Sequence, residues 1–81
     1  SISPNPANSN TTISLNLEKS SEMKIELFNI VGKKVSDVFT GTLSKGDNKF
    51  NLNTSELIAG VYFVKLSGAE RSSIIKIAVT H

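Results

Sequence analysis

Apolar and polar residues alternate with a period of two along most of this chain. Thr12-Ile13-Ser14-Leu15-Asn16-Leu17 is one such run, and Met23, Ile25 and Leu27 repeat the period between Glu22, Lys24, Glu26 and Phe28. Successive side chains of a strand point to opposite faces, so each run predicts a half-buried β-strand. The polar stretch Glu18-Lys19-Ser20-Ser21 is the turn between them. Residues 61–66 are the most strand-like in the chain. Beyond Gly68-Ala69-Glu70, Ile75, Ile77 and Val79 alternate with Lys76 and Ala78 in a last strand over residues 71–79.

Between these runs the punctuation is that of turns. Asn29-Ile30-Val31-Gly32-Lys33-Lys34 closes the second strand around a glycine able to supply a positive φ, and residues 35–40 read as its hairpin partner. Val38 and Phe39 break the alternation there, which leaves that strand's facing open. Gly41 and then Ser44-Lys45-Gly46-Asp47-Asn48 read as loop, followed by the short strand Phe50-Asn51-Leu52. Thr54-Ser55-Glu56-Leu57-Ile58 has room for one helical or 3₁₀ turn before Ala59-Gly60, too little for a helix that stands alone. The sum is about six strands with turns every 8–12 residues and no competing helix, the pattern of an antiparallel β-sandwich. The first ten residues differ: Pro4 and Pro6 among Asn and Ser make an extended, Pro/Asn-rich segment leading into a single domain over residues 1–81.

At 81 residues one core is possible, but only about 60–65% of the unfolded chain's surface is buried at this size, so stability is modest. There is no cysteine; packing alone must hold the domain, and thiolate metal sites and cysteine nucleophiles are excluded. Nine Lys and Arg against seven Asp and Glu leave a formal charge of +2, with the cations scattered rather than gathered into a run. Nothing in that pattern calls for a nucleic acid or an anionic membrane. The longest apolar stretch, Val61-Tyr62-Phe63-Val64, is far short of the roughly 20 residues of a membrane helix, so no membrane insertion is expected. The opening residues lack a charged n-region and an apolar h-region. An exported chain of this kind would have lost its leader or come from the far end of a longer one.

Catalysis lacks a cast. The only histidine is His81, and the carboxylates Glu18, Glu22, Glu26, Asp37, Asp47, Glu56 and Glu70 are dispersed, so no acid–base or nucleophilic constellation forms. Glu22 and Glu26 read as a solvated strand face. Gly46-Asp47-Asn48 lacks the D-x-[DN]-x-[DN]-G spacing of a calcium loop and reads as a turn. No metal or cofactor is expected. Tyr62 and Phe63 are neighbours in one strand and must face opposite ways, one toward the core and one partly exposed, which argues against an aromatic platform for bases or sugars. Asn10-Thr11-Thr12 and Asn53-Thr54-Ser55 match the glycosylation sequon, a weak signal in an Asn- and Thr-rich chain.

Three separated signatures occur in a fixed order: Pro4-Asn5-Pro6; Ile25-Glu26-Leu27-Phe28-Asn29-Ile30-Val31-Gly32-Lys33-Lys34-Val35; and Leu57-Ile58-Ala59-Gly60-Val61-Tyr62-Phe63-Val64-Lys65, with Lys76-Ile77-Ala78-Val79 after them. In this order, and over nearly the whole chain, the sequence resembles the C-terminal sorting domain of the type IX (Por) secretion system.

The resemblance implies an all-β, immunoglobulin-like antiparallel sandwich of about seven strands, carried at the end of a secreted cargo protein. It implies an outer-membrane translocon that recognises the domain, and a sortase-like surface peptidase that removes it and attaches the cargo to the cell surface. The resulting expectation is a secretion and sorting signal that is exported and is not an enzyme; the alternative is a cell-surface adhesion or carbohydrate-binding module of the same fold. Pro4, Asn5, Pro6, Gly32, Leu57, Gly60, Val61 and Tyr62 are then structural and motif positions. The terminal run Lys76, Ile77, Ala78, Val79, Thr80 and His81 is the expected recognition element, a strand whose apolar residues anchor while its polar ones project.

Overall fold

A computed structural model describes residues 2–3, 9–68 and 72–80. Its elements are β1 (Ile2–Ser3), β2 (Asn10–Leu17), β3 (Ser21–Asn29), β4 (Lys34–Leu43), β5 (Gly46–Asn53), β6 (Gly60–Gly68) and β7 (Ser72–Val79). Six are full strands, and β1 is a two-residue pairing with β2. One sheet has the order β1-β2-β5 and the other β4-β3-β6-β7, with every neighbouring pair antiparallel. The expected antiparallel β-sandwich is what forms. No described helix is long and apolar enough to cross a membrane.

The core is the inward half of the alternation. Ile13 and Leu52 come from the three-stranded sheet; Ile25, Leu27, Tyr62, Val64, Leu66, Ile77 and Val79 come from the four-stranded one. Met23, Leu15, Phe50 and Ile75 pack against them. Each fully buried aliphatic side chain contributes about 1.5–3 kcal/mol relative to exposure, which is what a chain without cross-links has to draw on.

The ambiguous facing of the fourth strand has a physical cause. Ile25 pairs Phe39 while Glu26 pairs Asp37, so Val38 is an extra residue; Leu27 pairs Ser36 while Phe28 pairs Lys34, so Val35 is another. Two β-bulges therefore interrupt β4, and a bulge is where period two must fail. Val38 and Phe39 both pack against the core as a result, and the Phe39 ring lies 5.0 Å from that of Phe50 across the sandwich.

Two expectations need correction, the loop around Gly46 and the leading segment. Gly41 lies inside β4, and Gly46, Asp47 and Asn48 open β5, so only Ser44 and Lys45 separate the two strands. The Asn48 amide donates to the carbonyls of Ser44 and Gly46, and the Asn16 amide donates to Asp47 at 2.7 Å; these side chains tie a tight corner that composition alone reads as a longer loop. Residues 54–58 form the single turn expected of them, closed by the Leu57 N–H on the Thr54 carbonyl three residues back. The leading segment is only partly extended linker, since Ile2 and Ser3 pair with Ile13 and Thr12 and Asn10 opens β2. Pro4, Asn5 and Pro6 lie outside the described residues.

Candidate recognition surface

The two glycines of the central motifs occupy backbone that side chains resist. Gly32 has φ +87° and Gly60 φ +154°, conformations open to glycine at little cost. At Gly32 the turn is assembled on Asn29. Its side-chain oxygen accepts from the N–H groups of Val31 (3.1 Å) and Lys33 (3.0 Å). Its carbonyl accepts from the Gly32 N–H, and its own N–H donates to Lys33. An Asn side chain that folds back on the following amides is a turn former in its own right. Asn at that position signals the turn by residue type, alongside the glycine.

At Gly60 the preceding loop is held from beneath. Tyr62 is buried at 8% exposure and its hydroxyl donates to the Ile58 carbonyl at 2.6 Å. Thr54 anchors the loop's start, its N–H donating to the Ser9 carbonyl. Leu57 packs against the core. Leu57, Gly60, Val61 and Tyr62 thus build one strand entry, with Val61 turned to the outer face and Tyr62 inward.

These features gather at one end of the sandwich. Asn29, the last residue of β3, pairs Tyr62 near the start of β6, and Gly60 pairs Val79 at the end of β7. The β3–β4 turn, the β5–β6 loop and the end of β7 are therefore neighbours. Ile30 (68% exposed), Val31 (82%) and Ile58 (83%) all project there. Among the described residues of the opposite end, Glu18, Lys19, Ser20, Ser44 and Lys45 are polar and exposed.

The terminal strand has the divided character expected of it. Ile77 and Val79 are in the core, Lys76 and Thr80 are exposed, and Ala78 is half-buried; His81 lies outside the described residues. β7 pairs with β6 alone, so among the described residues its other edge carries no strand.

The outer face of the four-stranded sheet departs from a plain solvated surface. Glu26 is covered, its side chain 12% exposed between Lys24 (3.6 Å) and Lys34 (3.5 Å). Lys34 also pairs Asp37 at 2.9 Å, and the hydrogen bond and charge of Asp37 raise its pKa, with Glu26 adding to the effect. Tyr62 and Phe63 do face opposite ways. Yet Phe28 and Phe63 are direct partners in the β3–β6 register, so two strands supply side by side the aromatic pair that one strand could not. Among the described residues no group of three or more His, Cys, Asp or Glu comes together as metal ligands do.

The family model of the secretion system C-terminal sorting domain matches residues 1–80. The chain belongs to this family. The match spans the Gly32 turn, the Gly60 strand entry and β7. Membership implies association with the type IX secretion machinery and a preceding cargo domain, and export toward the cell surface or the extracellular space. It is a family of sorting signals and not of catalysts. No curated protein matches the chain.

Proposed function

We infer that residues 1–81 act as a single sorting domain that carries a preceding cargo protein across the outer membrane through the type IX translocon. A sortase-like surface peptidase then removes the domain as the cargo is attached to the cell surface. The domain makes and breaks no bond itself and is read by its partner proteins. The observation that carries this reading is the family match over residues 1–80.

The shape of the end described above suits the role. Ile77 and Val79 hold β7 in the core while Lys76 and Thr80 stay exposed, and an edge strand can pair by its backbone with a receptor. Lys76, Thr80 and His81 are the side chains proposed to be read. Pro4 and Pro6 fix their own φ and restrict the residues before them, which favours an open chain upstream for a peptidase that binds its substrate extended.

The test is export of a reporter. A fluorescent protein with an inner-membrane signal in front and residues 1–81 behind should reach the surface or medium of a bacterium that carries the type IX machinery. Retention in the periplasm, with the domain shown to be folded, overturns the reading.

A further inference from the structure

Phe28, Phe63, Gly32, Lys65 and Ile74 line an open groove of about 390 Å³ on the outer face of the four-stranded sheet. We propose that this groove binds a segment of a partner protein that presents a large apolar side chain next to a carboxylate. The proposal deepens the reading above, in which partner proteins read this domain, by naming a site and the chemistry it selects.

The floor of the groove is set by register. Phe28 stands opposite Phe63, and one pleat further along Lys65 stands opposite Ile74 on β7. All four are on the face that alternates away from Ile25, Leu27, Val64 and Ile75. The solvated side of an antiparallel sheet ordinarily carries polar residues. Here the two rings are only half-buried and Ile74 is 65% exposed, and no described residue covers them. At one end of the groove Gly32 has no side chain, and a Cβ built there would meet nothing within 4 Å. The volume lies in the range of sites that take a small ligand or a single bulky side chain.

Charge then decides what enters. Glu26 is the cross-strand partner of Lys65, yet it lies with Lys24 and Lys34, at 3.6 and 3.5 Å. Of these two lysines Lys24 is on the same strand as Glu26 and Lys34 is on β4. No described carboxylate is within ion-pair distance of the Lys65 ammonium, whose side chain lines the apolar groove. An apolar group that carried a positive charge would meet repulsion, and a neutral one would leave the ammonium without a partner. A large apolar side chain followed by Asp or Glu fills the floor and supplies the missing charge.

The test uses the 81-residue chain and two acetylated, amidated tetrapeptides, Gly-Phe-Asp-Gly and Gly-Phe-Asn-Gly, titrated while the domain's NMR signals are followed. The expected result is saturable shifts confined to Phe28, Gly32, Phe63, Lys65 and Ile74, with the Asp peptide bound roughly three- to tenfold tighter than the Asn peptide. Lys65→Gln should erase that preference, and Ile74→Ser should weaken both peptides; neither residue is in the core, and an unchanged melting temperature verifies the fold. The absence of saturable shifts, shifts centred elsewhere, or a preference that survives Lys65→Gln overturns the proposal. Because peptide binding is read without any secretion machinery, its failure is separate from a failure of the reporter to be exported.

Discussion

The Tyr62 hydroxyl donates a 2.6 Å hydrogen bond to the Ile58 carbonyl, so a core ring and an exposed loop are joined at one atom. The ring is placed by burial, and the hydroxyl then fixes where the β5–β6 loop turns into β6. Tyr62→Phe keeps the burial and removes the clamp. The expected cost is about 1 kcal/mol, a fall in melting temperature of roughly 4–8 °C at this chain length. Hydrogen exchange should quicken at Ala59 and Gly60 while core amides slow or quicken only with global stability. A melting temperature equal to that of the parent would show that the clamp contributes nothing.

Gly60 has φ +154° with open space where a Cβ would lie, so any penalty there comes from the backbone and not from a clash. Gly60→Val should cost on the order of 1–2 kcal/mol or more, a large share of the stability of a small domain. Gly60→Ala should lose a similar amount, since one Cβ is enough to disfavour that φ. Thermal unfolding of both variants checks this; a loss with Val but none with Ala would point to crowding instead.

Thr54 is fully buried, and its hydroxyl has no hydrogen-bond partner among the described residues. A buried, unpaired hydroxyl is a net cost, and exchanging it for a methyl of the same shape removes the cost without opening a cavity. Thr54→Val should therefore raise the melting temperature by a few degrees, with the backbone bond from residue 54 to the Ser9 carbonyl kept. Destabilisation by about 1 kcal/mol would mean instead that the hydroxyl is bonded in solution.

The terminal strand separates anchoring from display. The triple substitution Lys76→Glu, Thr80→Glu and His81→Glu leaves Ile77 and Val79 in the core, so thermal stability should change little while surface display of the attached reporter collapses. Normal display from an equally stable variant would assign recognition to another face of the sandwich. Truncation before Ile77 is a poor substitute, since removing two buried aliphatic residues costs several kcal/mol.

Much of the molecule is legible in the sequence. Alternation placed Ile13, Ile25, Leu27, Ile77 and Val79 on inward faces, because period two is a local property of an extended chain and burial follows it directly. Positive φ at Gly32 and Gly60 was likewise readable, since glycine in a turn context signals backbone that other residues avoid. The absence of cysteine and the dispersal of the acids bounded the chemistry for the same reason: composition and spacing are stated outright in the sequence.

What tertiary structure decided is which distant residues meet. Alternation turns Phe28 outward and sets Tyr62 and Phe63 on opposite faces, but only the fold buries Tyr62, and only the β3–β6 register sets Phe28 and Phe63 side by side; a slip of two residues would keep every facing and part the rings. The same holds for Glu26, within ion-pair distance of Lys24 and Lys34 but not of its cross-strand neighbour Lys65, and for Thr54, fully buried just beyond β5 with its N–H on the Ser9 carbonyl. The bulges at Val35 and Val38 register in the sequence only as a lapse in the pattern. Their effect, turning Val38 and Phe39 together onto the core, depends on the strand they pair with. Register between strands far apart in the chain is settled by the packing of the two sheets as a whole, and no local pattern contains it.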